Sequence, residues 1–423
     1  MRIRIPSIAL HHARFLRSEE RMLLSSLLVS LLLCWNLLAC SPTSPSITSQ
    51  TVAPTCAGQS AVSAPLITRA GLQKMFALPG SPFASVATHS GHWIFVSLQS
   101  STAQDNGIAV LLQEGPSLKL AHIISLPGTP AGLVLTSNEQ FLIVADGNGV
   151  AVLDAARAEA GTSDALLHLI SDGPNPGTVE VAVSRDDHYV FATDENGQAL
   201  SVIDFEQVRT GGASAHAYVG RVPLDLAPVG LALSPDNHSL YVTSEISAQD
   251  TSLLGKKPTS QLTGILAVVD VARAEHDPSH AVVGRVFAGC TPVRVVLSPQ
   301  GEVAWVTARG SNALLAFNTS RLRSDPAHAL VASIAVGPAP VGLALIRQGA
   351  QIIVANSNRF AGGRSPQTLS LIDVKQALAG HPALLGTIAV GSFPRELALD
   401  GQTLLLTNYN SATLSLIDLS KLP

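Results

Sequence analysis

Ala227-Pro-Val-Gly-Leu-Ala-Leu-Ser-Pro-Asp-Asn-His-Ser-Leu-Tyr-Val-Thr-Ser244 decides the fold, because the chain spells this unit repeatedly. Gly264-Ile-Leu-Ala-Val-Val-Asp270 completes it. Relatives open near Pro82, Pro130, Thr178, Pro292, Pro340 and Pro394. The compact apolar run that begins each copy ends at Thr88, Thr136, Ser184, Ser234, Ser298 and Ile346, at spacings of 48, 48, 50, 64 and 48 residues. The seventh copy, Pro394-Arg-Glu-Leu-Ala-Leu-Asp400, has a shorter turn. Self-similarity at such a period marks an array of identical supersecondary units.

Each unit reads as four short strands. Leu231-Ala-Leu is the first, and a polar turn such as Pro235-Asp-Asn-His238 or Arg185-Asp-Asp-His188 follows. The second is Leu240-Tyr-Val-Thr, Phe141-Leu-Ile-Val or Ile352-Ile-Val-Ala; the third ends in Asp at 154, 204, 270, 373 and 418. That Asp is expected to cap the turn that follows. An Ala-rich stretch precedes the fourth strand, as in Ala329-Leu-Val-Ala-Ser-Ile. Inner strands apolar on both faces fit sheets packed face to face. Four strands per 40–50 residues are the signature of propeller blades. The fold class is therefore all-β, a seven-bladed β-propeller with four-stranded blades. Large and small residues alternate in Leu343-Ala344-Leu345 and Leu397-Ala398-Leu399, as wedges meeting near an axis require.

The last copy lacks a fourth strand, and Leu72-Gln-Lys-Met-Phe-Ala-Leu78 stands spare ahead of the first. Its flank Leu78-Pro-Gly-Ser-Pro82 matches Val336-Gly-Pro-Ala-Pro340. The N-terminal strand is therefore expected to complete the last blade and close the ring, which removes the open edges.

Upstream, Arg2, Arg4, Arg14, Arg17 and Arg21 precede the apolar run Leu23–Leu33, and Leu37-Leu38-Ala39-Cys40 closes it. This is a secretory signal pattern, expected over residues 1–39, with Met1 or Met22 as its start. The ending resembles the bacterial lipobox, which implies lipid on Cys40; an uncleaved anchor and an ordinary signal peptide are the other readings. Residues 40–65, rich in Ser, Thr and Pro, read as a flexible tether, and 66–423 as the propeller. Ser41 after the Cys favours, by that resemblance, the outer membrane or its periplasmic face. Cys56 and Cys290 remain, and an exported chain permits a disulfide between them; spacing alone leaves the bond open.

Of 423 residues, 46% are hydrophobic and 13% charged, so the composition is globular. A net charge of −4 supplies no basic footprint, so nucleic acid is not expected as a partner. Monomeric action is expected.

Tyr241-Val242-Thr243-Ser244 and its flanks resemble the YVTN repeat of bacterial seven-bladed propellers, across roughly residues 66–423. The wider superfamily includes lactonase-type propellers, so the resemblance implies a lactonase-like hydrolase as one activity. No family catalytic motif maps onto these residues, and no haem, phosphate-loop or zinc-protease motif is present.

In propellers the loops after the second strand surround one channel mouth. Candidate ligand residues there are Asp194, Glu245, Arg309, Asn356 and Asn408; their alternative role is turn chemistry, since Asp146-Gly-Asn-Gly149 and Asp194-Glu-Asn-Gly197 are good hairpin turns. Two residues past each blade-opening Pro stand Ala84, Gly132, Glu180, Gly230, Arg294, Gly342 and Glu396. Glu180, Arg294 and Glu396 are either a structural ion-pair set or a polar ligand site in which Arg294 meets an anion. Two long loops, Ile246–Thr263 and Asn358–Gln367, bring Lys256, Lys257, Arg359 and Arg364 to the same mouth. His188 and His238 occupy equivalent turns on the opposite face. No metal site is expected, and no cofactor; Ca²⁺ enters only with the lactonase reading. The leading expectation is a binding or scaffold protein at the cell envelope, with an unknown protein or small molecule at the channel mouth.

Overall fold

Seven antiparallel sheets of four strands each form the blades in the computed structural model, which describes residues 60–115, 117–211, 217–359 and 367–423. The innermost strands are Ser81–Ala87, Leu133–Leu135, Thr178–Val183, Leu226–Leu233, Pro292–Leu297, Pro340–Ile346 and Pro394–Asp400. Sequence order and spatial order agree in blades one to six. Blade seven is composite. Its outer strand is Gln73–Ala77, antiparallel to Thr413–Asp418, with Gln73 opposite Ile417 and Ala77 opposite Thr413. The expected ring-closing strand is thus in place.

The core lies between blades. Phe95, Ile143, Phe191, Tyr241, Trp305, Ile353 and Leu405 hold one repeat position in the second strands, and all are buried. Trp305 packs with Leu343 and Ile352 of the next blade; Leu405 and Leu414 of blade seven pack with Ile94 and Val96 of blade one. Each buried side chain of this size contributes about 1.5–3 kcal/mol, and each wedge gains it only against a neighbour.

A hydrogen-bonded stitch accompanies this packing. Thr243 Oγ1 accepts from Gly230 N–H in its own blade (3.0 Å) and donates to Val293 O in the next (2.9 Å). Ser97 donates to Ala131 O at 2.6 Å, Thr307 to Val341 O at 2.6 Å and Thr407 to Phe83 O at 2.9 Å. The last of these joins blade seven to blade one. The inner strands carry a register shift at this point, as between Pro228 and Gly230, and the shift frees the N–H that the hydroxyl takes. Gly230 is required here: an added Cβ would stand 2.3 Å from Val293 O.

Where a third strand ends in Asp, or in Asn318 of blade five, that residue caps a short helix rather than a bare turn, while blade one's third strand ends at Glu114. Asp154 accepts from Arg157 N–H over Ala155–Ala160, and Asp270 and Asp373 do likewise for Val271–His276 and Val374–Leu378. Helices of five to seven residues are too short to declare a 3.6-residue period. On this face Ser184 and Ser234 hydroxyls order the turns bearing His188 and His238, whose backbone N–H groups they accept at 3.1 and 3.2 Å.

Chain upstream of the ring-closing strand is bound as well. Val62 N donates to Val336 O (2.9 Å), and Ile67 N to Thr387 O (2.7 Å) on the outer strand Leu384–Ala389. The end of the expected tether is therefore fixed to the propeller from Val62 onward. Cys290 is fully buried and disulfide-bonded; Cys56, its expected partner, lies outside the described residues, as do Cys40 and the signal. No helix among the described residues is long and apolar enough to cross a membrane.

Candidate functional site

The residue after each blade-opening position forms a ring around the axis. Phe83, Ala131, Val179, Val229, Val293 and Val341 supply six apolar members, and Arg395 is the seventh. All seven line a cavity of about 410 Å³ at the channel mouth, within the range of small-molecule sites.

One residue further along, the small positions of the register alternate with charge. Arg294 is 7% exposed, with Nη2 3.3 Å from Glu180 Oε2 and Nε against Glu396 Oε1. Its Nη1 lies 3.3 Å from the carbonyls of Val229 and Val293. The three charges expected to converge do so, directly beneath the cavity. Burial pushes the Glu180 carboxyl up to about 7 against the pull of Arg294, with Glu396 adding repulsion.

Among the remaining sequence candidates, Glu245 and Arg309 meet on the cavity wall, Oε2 to Nη2 at 2.7 Å. Arg359 stands exposed on the rim, 5.9 Å from the Phe393 ring centre. Asp194, Asn356 and Asn408 are fully buried and do not line the cavity. Asn356 Nδ2 donates to Thr368 and Ser370, and Asn408 Nδ2 to Thr413 and Ser415. Asp194 accepts from Ser201 (2.6 Å) and neighbours the buried Asp172; burial foremost, then Asp172, raises its carboxyl to about 8. These side chains tie the second strand to the third. The long loop after the second strand of blade four, carrying Lys256 and Lys257, forms short 3₁₀ turns at Ala248–Leu253 and Thr259–Gln261; both lysines are exposed and line no part of the cavity. Arg364 lies outside the described residues.

Arg395 was not singled out by the sequence reading. Its guanidinium carbon stands 3.6 Å over the Phe83 ring centre and 5.5 Å from both Phe393 and Tyr409. Its Nε is buried without a hydrogen-bond acceptor. Among the described residues no carboxylate comes within ion-pair reach of it. Burial, and then Arg294, hold its pKa down to about 10, so it stays charged at neutral pH. Phe393 has a left-handed backbone, φ +55°, a strained conformation for an aromatic residue. Its carbonyl is anchored by Tyr409 N–H at 2.9 Å, and the two rings meet edge-on at 5.6 Å. The signal for Arg395 was its register: a cation where six copies are apolar. Among the described residues, no group of three or more His, Cys, Asp or Glu could hold a metal ion.

No family model and no curated protein matches this chain. Solved structures do. Hydrazine synthase of Kuenenia stuttgartiensis superposes with a TM-score of 0.59 at 17% identity, over 83% of this chain and 99% of that one. Virginiamycin B lyase of Staphylococcus aureus gives 0.56 at 10% identity, over 82% and 98%. A functionally unknown protein of Desulfotomaculum acetoxidans gives 0.51 at 13%, over 74% and 87%. At these identities the likeness is one of fold, and it agrees with the seven sheets.

Proposed function

We propose that this chain is a lipid-anchored propeller of the YVTN-repeat kind that captures a small molecule at its channel mouth in the bacterial cell envelope. The cavity of about 410 Å³ under a rim of aromatic and charged side chains carries the reading. A rigid ring held by interblade packing positions such a mouth with little ordering cost on binding. The signal and Cys40 supply the address: the lipid holds the protein at a membrane, and the tether lets the propeller stand off it. Binding without turnover is favoured because the convergent charges are already spent on one another. Arg294 is shared by two carboxylates, and Arg309 is paired with Glu245.

One observation favours a second reading, a lactonase-like hydrolase. Glu180, pushed up to about 7 beneath the cavity, has the proton affinity of a general base at neutral pH. The test uses the chain from Ser41 onward without its lipid. Thermal stabilisation is measured with a panel of small molecules, and turnover with a lactone panel, with and without Ca²⁺. Saturable stabilisation that is lost when Ala131→Trp fills the mouth, with no lactone turnover, is the expected result. Turnover abolished by Glu180→Gln would replace the binding reading with the enzymatic one. Failure of any compound to bind overturns both. Incorporation of labelled palmitate, lost in Cys40→Ser, checks the anchor.

A further inference from the structure

We infer that the ligand of this mouth is anionic, a compound with one carboxylate or phosphate group on an apolar body, and that Arg395 is the residue that receives the anion. The inference rests on the reading that the mouth binds a small molecule, and it adds the ligand's chemistry.

Among the described residues four guanidinium groups line the cavity, those of Arg294, Arg309, Arg359 and Arg395. Arg294 and Arg309 are matched by Glu180, Glu396 and Glu245. Among the described residues Arg395 has no ion pair, although Glu396 and Glu195 attract it from beyond contact, and Arg359 stands by the Phe393 face with Glu195 attracting it too. Arg359 lies in water, where a lone charge costs little. Arg395 does not. Its flat face is covered by Phe83, and its Nε is cut off from solvent without an acceptor.

Aromatic rings attract a cation through their faces, but they offer nothing to N–H groups that point out of the guanidinium edge. Those donors lie in the guanidinium plane and match the two oxygens of a carboxylate or phosphate. Nε is shut off from the cavity, so an anion entering it meets the Nη groups of that edge, with a charge-assisted strength that a neutral ligand of the same shape does not match. Burial and the neighbouring Arg294 hold the proton affinity of Arg395 down, against the pull of Glu396.

The rest of the ring sets the body of the ligand. Val229, Val293 and Val341 form one apolar cluster with Phe393 packed against it. A ligand whose anion lies on Arg395 therefore rests its remainder on branched aliphatic side chains and an aromatic edge. Glu195 also borders the cavity, solvent-exposed and without an ion pair among the described residues, and Arg395, Arg309 and Arg359 all attract it. It repels a second anionic group, so a single anionic head is accommodated rather than a dianion spread across the mouth.

The experiment measures binding of benzoate, phenyl phosphate, benzamide and inorganic phosphate by calorimetry to the chain from Ser41 onward. Benzoate or phenyl phosphate is expected to bind, with benzamide and inorganic phosphate at least about tenfold weaker, a difference of about 1.4 kcal/mol. Preference between the two anionic probes identifies the head group. Arg395→Gln should weaken the preferred probe at least tenfold while leaving benzamide unchanged. Should that variant fail to fold, Arg395→Lys keeps the charge and loses the two-pronged geometry, and a weakening of several-fold is expected. Benzamide binding as tightly as benzoate, or an unaltered affinity in Arg395→Gln or Arg395→Lys, overturns the inference and leaves the mouth as a site for neutral compounds. Absence of binding by every probe and by the wider panel overturns the mouth itself.

Discussion

Replacing Thr243 by Val removes a hydroxyl and preserves shape, which isolates the stitch between blades four and five. The side chain is fully buried, so no water takes over either of its bonds. Two bonds are lost. The donation to Val293 O is worth about 1 kcal/mol net. The acceptance from Gly230 N–H is worth more, because that donor is then buried with nothing to receive it, at about 1–3 kcal/mol. Together the variant should lose about 2–4 kcal/mol. Thr243→Ser keeps both bonds and loses one methyl group, at about 1 kcal/mol. Equilibrium unfolding in urea, followed through the buried Trp305, measures both variants, and an unchanged dependence on denaturant certifies that the comparison is of stability alone. A Val variant as stable as the Ser variant would refute the reasoning. The third letter of the Tyr-Val-Thr motif would then owe its place to shape, and the blades would be held by packing alone.

Three further outcomes follow from the buried charges and the closure. Glu180 holds its proton more tightly folded (about 7) than unfolded (ordinary value 4.5), so its contribution falls as pH rises through that window and is level above it. Glu180→Gln should therefore flatten the loss of stability between pH 5 and 8 by up to about 3 kcal/mol, as read from urea midpoints at each pH; parallel curves would exclude this. Asp194→Asn replaces a carboxyl raised to about 8 with a group that is neutral throughout; because the folded carboxyl keeps its proton where the unfolded one has lost it, the benefit should grow by about 2–3 kcal/mol from pH 6 to pH 8.5, with equal effects at both counting against a raised carboxyl. A chain beginning at Gly80 lacks Gln73–Ala77 and leaves the edge of Thr413–Asp418 open. Light scattering should detect concentration-dependent association, and a monodisperse monomer of unchanged stability would show that the N-terminal strand is dispensable.

Much of this arrangement was legible in the residues because a repeat compares each position with its own copies. The blade count, the composite seventh blade and the convergence of Glu180, Arg294 and Glu396 all followed from register. Burial did not. Asp194, Asn356 and Asn408 carry the composition of exposed turns. Whether such a residue ends in solvent or beneath the third strand depends on how the strands twist and on which hydroxyls, here Ser201, Ser370 and Ser415, wait across the sheet. The short helices were hidden by their length. Thr243 was visible only as a letter of a motif, since its partner carbonyl belongs to a blade 50 residues away. Phe393 shares its positive φ with Ala227, Thr291 and Ala339, each directly before a blade-opening Pro, so the register marked its backbone, though not the ring that stands there.

Arg395 was missed for a more instructive reason, and it carries the site. In a ring of equivalent copies every position faces nearly the same structural demand, so whatever the fold alone requires is met seven times over. A departure from the register then needs its own explanation. Glu180, Arg294 and Glu396 explain one another: two carboxylates compensate one guanidinium, and removal of any one strands the others. Arg309 and Glu245 do the same on the wall. Arg395 has no such contact partner among the described residues: rings flank it, and Glu396 and Glu195 act on it only from beyond contact. Six apolar residues at the other copies show that the fold alone does not ask for charge here, so packing does not account for a half-buried cation whose Nε is shut off from water. What remains is a demand from outside the chain, and an anion entering the mouth is the one that matches the donors left open.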